Sequence, residues 1–574
     1  QQLRQHLGWP AGQALQDLPR ATPPRGFRLI IETERGIGID ALRQHLQQVY
    51  GEVSLQRGFP QYEPDIDLPS LQDYYIATLP HLDADHLLIN PFDIAYASLQ
   101  KGLVKGAEPD LASVPANHRC IDNHAQFHLD HRWSLKVMNV PAAWDKLAAL
   151  AKNRGGGIRI GQPDTGVTFH ERSFGKFDLA AGFDFYAGNP GPIDPLTARR
   201  AITLGGDVPG HGTMTSSIII ASDPDPAQQK MIGIAPDATV VPCRVTQSVA
   251  IRPGSELAQG FDHAWQNSCR IVSVSLGGVT GHFTHAAVRN CYSRGLLICC
   301  AAGQCERIML FPALYHETIG CGGTRLRDQG GEQVESYWSP GAIGPISIAA
   351  PAEKVWVCIP DTNNHDRQLG IIHAGTPNDP FNALSVEEGT SFSTAAVAAI
   401  GALWLKFHED KDLLGMYHRR RPLNDVFKQV LHDTARKPQG WRLTSWGPGI
   451  IDAAAVLDAP LPSPGPAMPD ADYLALWDQG DDLDVWCRIF WDLPRDAVIR
   501  VLGRLLQAVD LADLRQHLHQ LGYELTWLIH QGADQALALR HAIQAEATSA
   551  TDQVADAAAS LAERASDKLR SMLT

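Results

Sequence analysis

Long apolar runs are missing: no stretch reaches the about 18–20 residues that cross a bilayer, and the opening QQLRQHLGWPAGQ lacks the apolar centre of a signal peptide. No membrane span is expected. Clustered positive charge is missing as well. A formal net charge of −14 over 574 residues leaves no basic field to hold phosphates, which excludes a nucleic-acid partner and reads as a solvated acidic surface. Cysteines are few, ten in all, too sparse for a disulfide scaffold. Cys299 and Cys300 are neighbours in an apolar run, and adjacent cysteines pair only under strain, so both read as free thiols. The spacing of Cys299, Cys300, Cys305 and Cys321 matches no common zinc pattern. Free thiols lean towards a reducing, cytoplasmic location; a secreted or periplasmic one follows if a signal peptide preceded Gln1.

With 44% apolar and 20% charged residues, the composition is that of a globular chain long enough for several domains. Residues 1–26 are polar, end in Ala-Thr-Pro-Pro-Arg-Gly and read as a lead segment. Residues 27–110 carry a β-α-β-β-α-β series. Phe27–Glu32 is a strand, and Asp40 caps a helix with Leu42, Leu46 and Val49 on one face. Strands around Val53 and Tyr74–Leu79 follow, Asn90-Pro91 opens a second helix, and Leu103–Ala107 closes the series. Residues 111–131 have no periodic pattern and read as a linker or processing segment. In residues 132–458 short apolar strands (Ile158–Gln162, Thr239–Arg244, Ile271–Leu276, Leu296–Ala302) alternate with helical stretches, the mark of a mostly parallel sheet flanked by helices. A proline-rich linker, 459–470, leads to a helical C-terminal domain, 471–574, a small bundle whose segment Ala545–Met572 carries helical periodicity and reads as a long amphipathic end.

Three short motifs carry chemistry. Gln162-Pro-Asp164-Thr-Gly puts a carboxylate at a strand's C-terminal end. Asp-Thr-Gly also marks aspartic proteases, but their mechanism needs two such carboxylates and no second copy occurs. Gly210-His211-Gly212 places a histidine between glycines at a helix entrance, where backbone can crowd against a substrate. Gly389-Thr390-Ser391 precedes a helix that is small and apolar all round, which sets Ser391 at the positive end of a buried helix. The order Asp, His, Ser, with gaps of 47 and 180 residues, is one of the few known chain orders for a Ser-His-Asp triad.

In these motifs, and in Ser273-Val-Ser-Leu-Gly-Gly278, Ala301-Ala-Gly303, Phe311-Pro-Ala-Leu-Tyr315 and Trp446-Gly-Pro-Gly-Ile-Ile-Asp-Ala-Ala454, residues 133–457 resemble the subtilisin-like serine peptidases. The resemblance implies a subtilisin-like α/β domain, preceded by a ferredoxin-like α+β domain similar to the family's propeptide and followed by the small helical domain. It implies a serine endopeptidase acting on polypeptides, with Asp164, His211 and Ser391 as triad. It further implies Ser275, Leu276 and Gly277 as an edge to which substrate adds as a strand, Ala301, Ala302 and Gly303 as the wall of the pocket before the cut, and Gln304 with Ser391 as the oxyanion hole. No cofactor is expected; calcium often supports the family, and Ser222-Asp-Pro-Asp-Pro226 reads equally as an ion site or a solvated loop. Two departures stand out. Gln304 replaces the family's usual Asn, and Ala395 stands where Pro is common. They leave open a weak or inactive relative that binds polypeptide, with the C-terminal helices as the module for a protein partner. An esterase is disfavoured because no Gly-x-Ser-x-Gly surrounds Ser391.

Overall fold

The computed structural model describes residues 26–62, 70–83, 87, 89–111, 130–168, 170, 172–196, 208–223, 231–251, 254–304, 308–329, 332–338, 341–359, 384–418, 420–468, 482–548 and 553–574. Near its start, β1 (Phe27–Thr33) lies between β3 (Tyr74–Leu79) and β4 (Val104–Pro109), with β2 (Ser54–Arg57) outside β3, all antiparallel. The order β2-β3-β1-β4, with helices α1 (Ile39–Tyr50) and α2 (Pro91–Tyr96) in the two crossovers, is the ferredoxin-like arrangement that the β-α-β-β-α-β series predicts. Asn90 caps α2, its side-chain oxygen accepting the Phe92 N–H at 3.0 Å. Asp40 does not cap α1. Gly38 holds that position and Asp40 sits in the first turn, where its charge still opposes the helix dipole and pairs with Arg43 at 2.6 Å.

The large sheet contains β5 (Arg159–Asp164), β6 (Phe183–Asp184), β7 (Asn189–Pro190), β8 (Thr239–Arg244), β9 (Ile271–Val274), β10 (Leu297–Ala301), β11 (Ile319–Gln329), β12 (Glu332–Tyr337) and β13 (Ile348–Pro351). Its order is β12-β11-β10-β9-β5-β8-β6-β7, with β13 on β11. The inner pairs are parallel; antiparallel pairing occurs at β6–β7 and β11–β12. Helices α3 (His211–Ile220), α4 (Gly254–Gln266), α5 (His282–Ser293) and α6 (Thr390–Phe407) cover it. α6 is long and apolar enough to cross a membrane, but it packs along β9, β10, β11 and β13 and is buried continuously from Phe392 to Leu405. That is the alternative an all-round apolar helix allows: a core helix.

After the proline-rich segment, pinned to the peptidase part by Tyr417 Oη donating to Pro462 O at 2.6 Å, six helices follow among the described residues. They are α7 (Asp482–Ile489), α8 (Arg495–Leu505), α9 (Leu511–Gln531), α10 (Ala533–Thr548), α11 (Val554–Ala562) and α12 (Asp567–Leu573). The amphipathic end over 545–572 is divided among α10, α11 and α12. Glu524 on α9 accepts the Ser566 N–H at 2.6 Å and its hydroxyl at 2.8 Å, and Ser566 in turn caps α12, which interrupts the helix between Ala562 and Asp567 while the stripe Val554, Ala558, Leu561, Ala565 and Leu569 stays buried. These helices pack on both other parts. Tyr523 meets Phe92 at 5.6 Å between ring centroids, Asp93 accepts the Asp567 N–H, and Arg488 Nε donates to Leu314 O at 2.6 Å. One continuous hydrophobic cluster runs from Leu29 and Ile31 through Phe283 and Phe311 to Leu518 and Leu525.

Candidate active site

β5 runs between β8 and β9 and delivers Asp164 at its C-terminal end, as open parallel sheets do with their functional groups. The carboxylate is 1% exposed and tied on both oxygens. Oδ1 accepts from His211 Nδ1 and from the Thr165 N–H, both at 2.7 Å, and Oδ2 accepts from Thr215 Oγ1 at 3.2 Å. Gln162, two residues back on the strand, donates to Thr215 Oγ1 and Gly212 O and accepts from Ser216, so β5 also fixes the first turn of α3.

His211 opens α3. Gly210 before it has φ +80°, a left-handed conformation that glycine adopts at little cost. A Cβ on Gly212 would lie 2.1 Å from Gly166 O, so that position accepts only glycine without a backbone shift. Buried Asp194 ties the entrance together, accepting the Gly210 N–H at 2.6 Å and the Thr165 hydroxyl at 3.2 Å. Burial raises its pKa above the ordinary carboxylate value.

Ser391 is the second residue of α6, where backbone N–H groups lack intrahelical partners. Its hydroxyl donates to Ser275 O at 3.0 Å rather than to His211, whose ring lies beside Phe392 with centroids 6.4 Å apart. Gln304 reaches the same helix end. Its Oε1 accepts the Thr390 N–H at 3.2 Å. Because that partner is a donor, the oxygen's position is fixed and Nε2 is left as the free donor of the amide.

Among the residues predicted to meet substrate, Ser275 donates its hydroxyl to Ser391 O at 2.9 Å. Leu276 is buried, and Gly277 has both backbone groups engaged: its N–H donates to Val249 O at 3.1 Å and its carbonyl accepts the Ile251 N–H at 3.2 Å. In this conformation a peptide adds at Gly277 only by displacing 249–251. Ala301 ends β10; Ala302 and Gly303 follow, Gly303 N donating to Thr390 Oγ1 at 3.1 Å. Leu310 fills the space between the two glycine stretches. A Cβ on Gly277 would stand 2.6 Å, and one on Gly303 2.8 Å, from Leu310 Cδ1.

The profile of the Subtilase family matches residues 155–449, more than half of the chain. The chain belongs to the subtilase family. This subtilase is 24% identical over 314 residues to the major intracellular serine protease of Bacillus subtilis (strain 168), covering 52% of this chain and 81% of that protein. It is 26% identical over 319 residues to thermitase of Thermoactinomyces vulgaris, covering 55% of this chain and 92% of that protein. In fold it is similar to fervidolysin of Fervidobacterium pennivorans, with a TM-score of 0.53 at 17% identity over 78% of this chain and 63% of that one. It is a serine endopeptidase, and polypeptide is its substrate class.

Sequence reasoning missed the supporting residues Gln162, Thr215 and Asp194, the segment 249–251, and Leu310. Only Leu310 had a signal, a large residue directly ahead of the Phe311-Pro312 landmark. Within Ser222–Pro226 the described residues are Ser222 and Asp223. The Asp223 carboxylate lies 3.5 Å from the buried Arg172 guanidinium, a pairing that directs it to a cation of the protein itself. Residues 224–226, and Cys305 of the cysteine group, lie outside the described residues. Cys299 and Cys300 are buried free thiols whose pKa burial raises, which makes them inert.

Proposed function

We propose that Ser391 is the nucleophile, His211 the general base and acid, and Asp164 the group that orients the imidazole. The observation that carries this reading is the 2.7 Å bond from His211 Nδ1 to a buried carboxylate held by two further donors. It fixes the ring with Nε2 as the working nitrogen. With substrate bound, Ser391 Oγ exchanges Ser275 O for His211 Nε2. The hydroxyl proton passes to Nε2 as Oγ bonds to the scissile carbonyl carbon. The Ser391 N–H and Gln304 Nε2 hold the resulting oxyanion. The C–N bond then breaks as the imidazolium returns the proton to the leaving amine, and water repeats the sequence on the acyl-enzyme.

Leu310, set between Gly277 and Gly303, supports cleavage after small residues, because a bulky side chain would need the volume it holds. The N-terminal domain supports restraint of the enzyme. Glu108 on β4 accepts the N–H groups of His282 and Phe283 at 3.0 and 3.2 Å, and so caps α5. Asp110 accepts from Ser255 N and Oγ at 3.2 and 2.6 Å, and so caps α4. Two adjacent helix ends are thus completed by the last strand of the domain, which is how a docked propeptide would grip the enzyme. The test is labelling of the full chain by a fluorophosphonate with casein hydrolysis in parallel. Both are expected, and both vanish in Ser391→Ala. Absence of labelling both in the full chain and after cleavage and removal of the N-terminal domain would favour the polypeptide-binding reading instead.

A further inference from the structure

Away from Ser391, the three parts of the chain meet at a cluster of two histidines and two carboxylates. His282 stands at the start of α5, Asp482 at the start of α7, His519 on α9 and Glu32 on β1. Nδ1 of His282 lies 3.4 Å from Asp482 Oδ1, and Nδ1 of His519 lies 3.6 Å from Asp482 Oδ2. One donor atom from each of these three residues is within 4.8 Å of the other two, and the imidazole centroids are 4.3 Å apart. The other nitrogen of His519, Nε2, is 2.9 Å from Glu32 Oε2, whose second oxygen accepts from Lys105 Nζ at 2.6 Å.

Chemistry narrows what this arrangement is for. A carboxylate accepts only, so the Glu32 contact places a proton on His519 Nε2 and leaves Nδ1 as the nitrogen that faces Asp482. At 3.6 Å the pair is too far apart for one shared proton, while a tetrahedral ion with bonds of about 2.0–2.1 Å sets its ligands about 3.3 Å apart. The Glu32–His519 contact is the outer-shell carboxylate that metal-ligating histidines carry. A cavity of about 410 Å³, lined among others by Glu32, Lys105, His282, Arg289, Asp482 and His519, adjoins the cluster and offers entry and room for a water ligand.

We propose that His282 Nδ1, His519 Nδ1 and an Asp482 oxygen form a zinc site, with Glu32 as the residue that positions His519. Two imidazoles and a carboxylate suit Zn²⁺ better than Ca²⁺ or Mg²⁺, which take oxygen ligands. The ion bridges the peptidase helix α5 to the C-terminal helices α7 and α9, and through Glu32 it reaches the N-terminal sheet. His282 also donates its backbone N–H to Glu108, so the site lies beside the cap by which β4 holds α5.

The test uses the full chain carrying Ser391→Ala to prevent self-cleavage, stripped with a chelator and titrated with zinc ion alone against a chromogenic competitor. One equivalent is expected. His519→Ala and Asp482→Asn are expected to weaken it at least a hundredfold and Glu32→Gln about tenfold or more. X-ray absorption on the zinc-loaded chain is expected to give nitrogen and oxygen neighbours at about 2.0–2.1 Å with imidazole scattering. Failure to take up one equivalent, or unchanged affinity in both His519→Ala and Asp482→Asn, overturns the proposal. So does a sulfur shell at about 2.3 Å, which would put the ion on the cysteines. If the variants fail to fold, the absorption spectrum of the loaded parent chain decides.

Discussion

Ser391 and Ser275 hold each other: each hydroxyl donates to the other's backbone carbonyl, at 3.0 and 2.9 Å. The serine at the head of the core helix is thus committed to a main-chain acceptor until a substrate arrives.

That contact sets the first expectation. Ser391→Ala removes one ordinary hydrogen bond, about 1 kcal/mol of stability, and, on the proposed mechanism, the nucleophile. Casein hydrolysis and fluorophosphonate labelling are expected to disappear while Tm falls by only a few degrees; a persisting label on the alanine variant would place the nucleophile elsewhere.

Gln304 combines two tasks that a single substitution separates. Gln304→Glu keeps an acceptor for the Thr390 N–H and loses the Nε2 donor. If the donor acts on the oxyanion as proposed, kcat is expected to fall roughly a hundred- to a thousandfold, the range known for such a donor in subtilisin, with KM little changed. A fall in Tm with unchanged kcat would assign Gln304 to helix capping alone.

On the proposed reading, Leu310 is the obstacle to large residues before the cut. Leu310→Ala is expected to raise kcat/KM for peptides with Leu or Phe there by about 10- to 200-fold relative to Ala, the reach of a few methylenes in an apolar pocket. It is also expected to lower stability by about 2–3 kcal/mol. A cleavage profile over a peptide library measures this, and an unchanged preference would move the pocket away from Leu310.

The docking of the N-terminal domain is expected to depend on pH through Glu256. Arg28 bridges Asp110 at 2.7 Å and Glu256 at 2.8 Å, so two buried carboxylates share one guanidinium. Burial, joined by the Asp110 charge, raises Glu256 to about 7 in spite of Arg28. A carboxyl whose pKa is higher docked than free takes up a proton on docking. That contribution is complete below the free value near 4.5 and is lost as pH rises through about 7. Cutting the chain at a site inserted between 112 and 129 and timing release of the N-terminal piece is expected to show faster release at pH 7.5 than at pH 5. Glu256→Gln is expected to flatten that dependence, and an equal slope in both proteins would remove Glu256 from the linkage.

Local pattern was enough to read much of this protein from its residues. Asn90-Pro91 specified a capped helix because both residues act within one turn. Alternation of apolar strands with helical stretches required a mostly parallel sheet because both faces of its strands are covered, and Asp164, His211 and Ser391 stood out because glycines and small residues flank them in short motifs. The break between Ala562 and Asp567 within the amphipathic end is set by Glu524, far away in sequence, which captures Ser566, a contact that no local periodicity encodes. The same holds for Leu310 between Gly277 and Gly303, for 249–251 closing on Gly277, and for Glu32, His282, Asp482 and His519 converging from three parts of the chain. Periodicity and caps act over one or two turns, so the sequence displays them. Which distant side chains share a site depends on how the hydrophobic cluster joins the N-terminal sheet, the peptidase core and the C-terminal helices, and that was decided only when the whole chain packed.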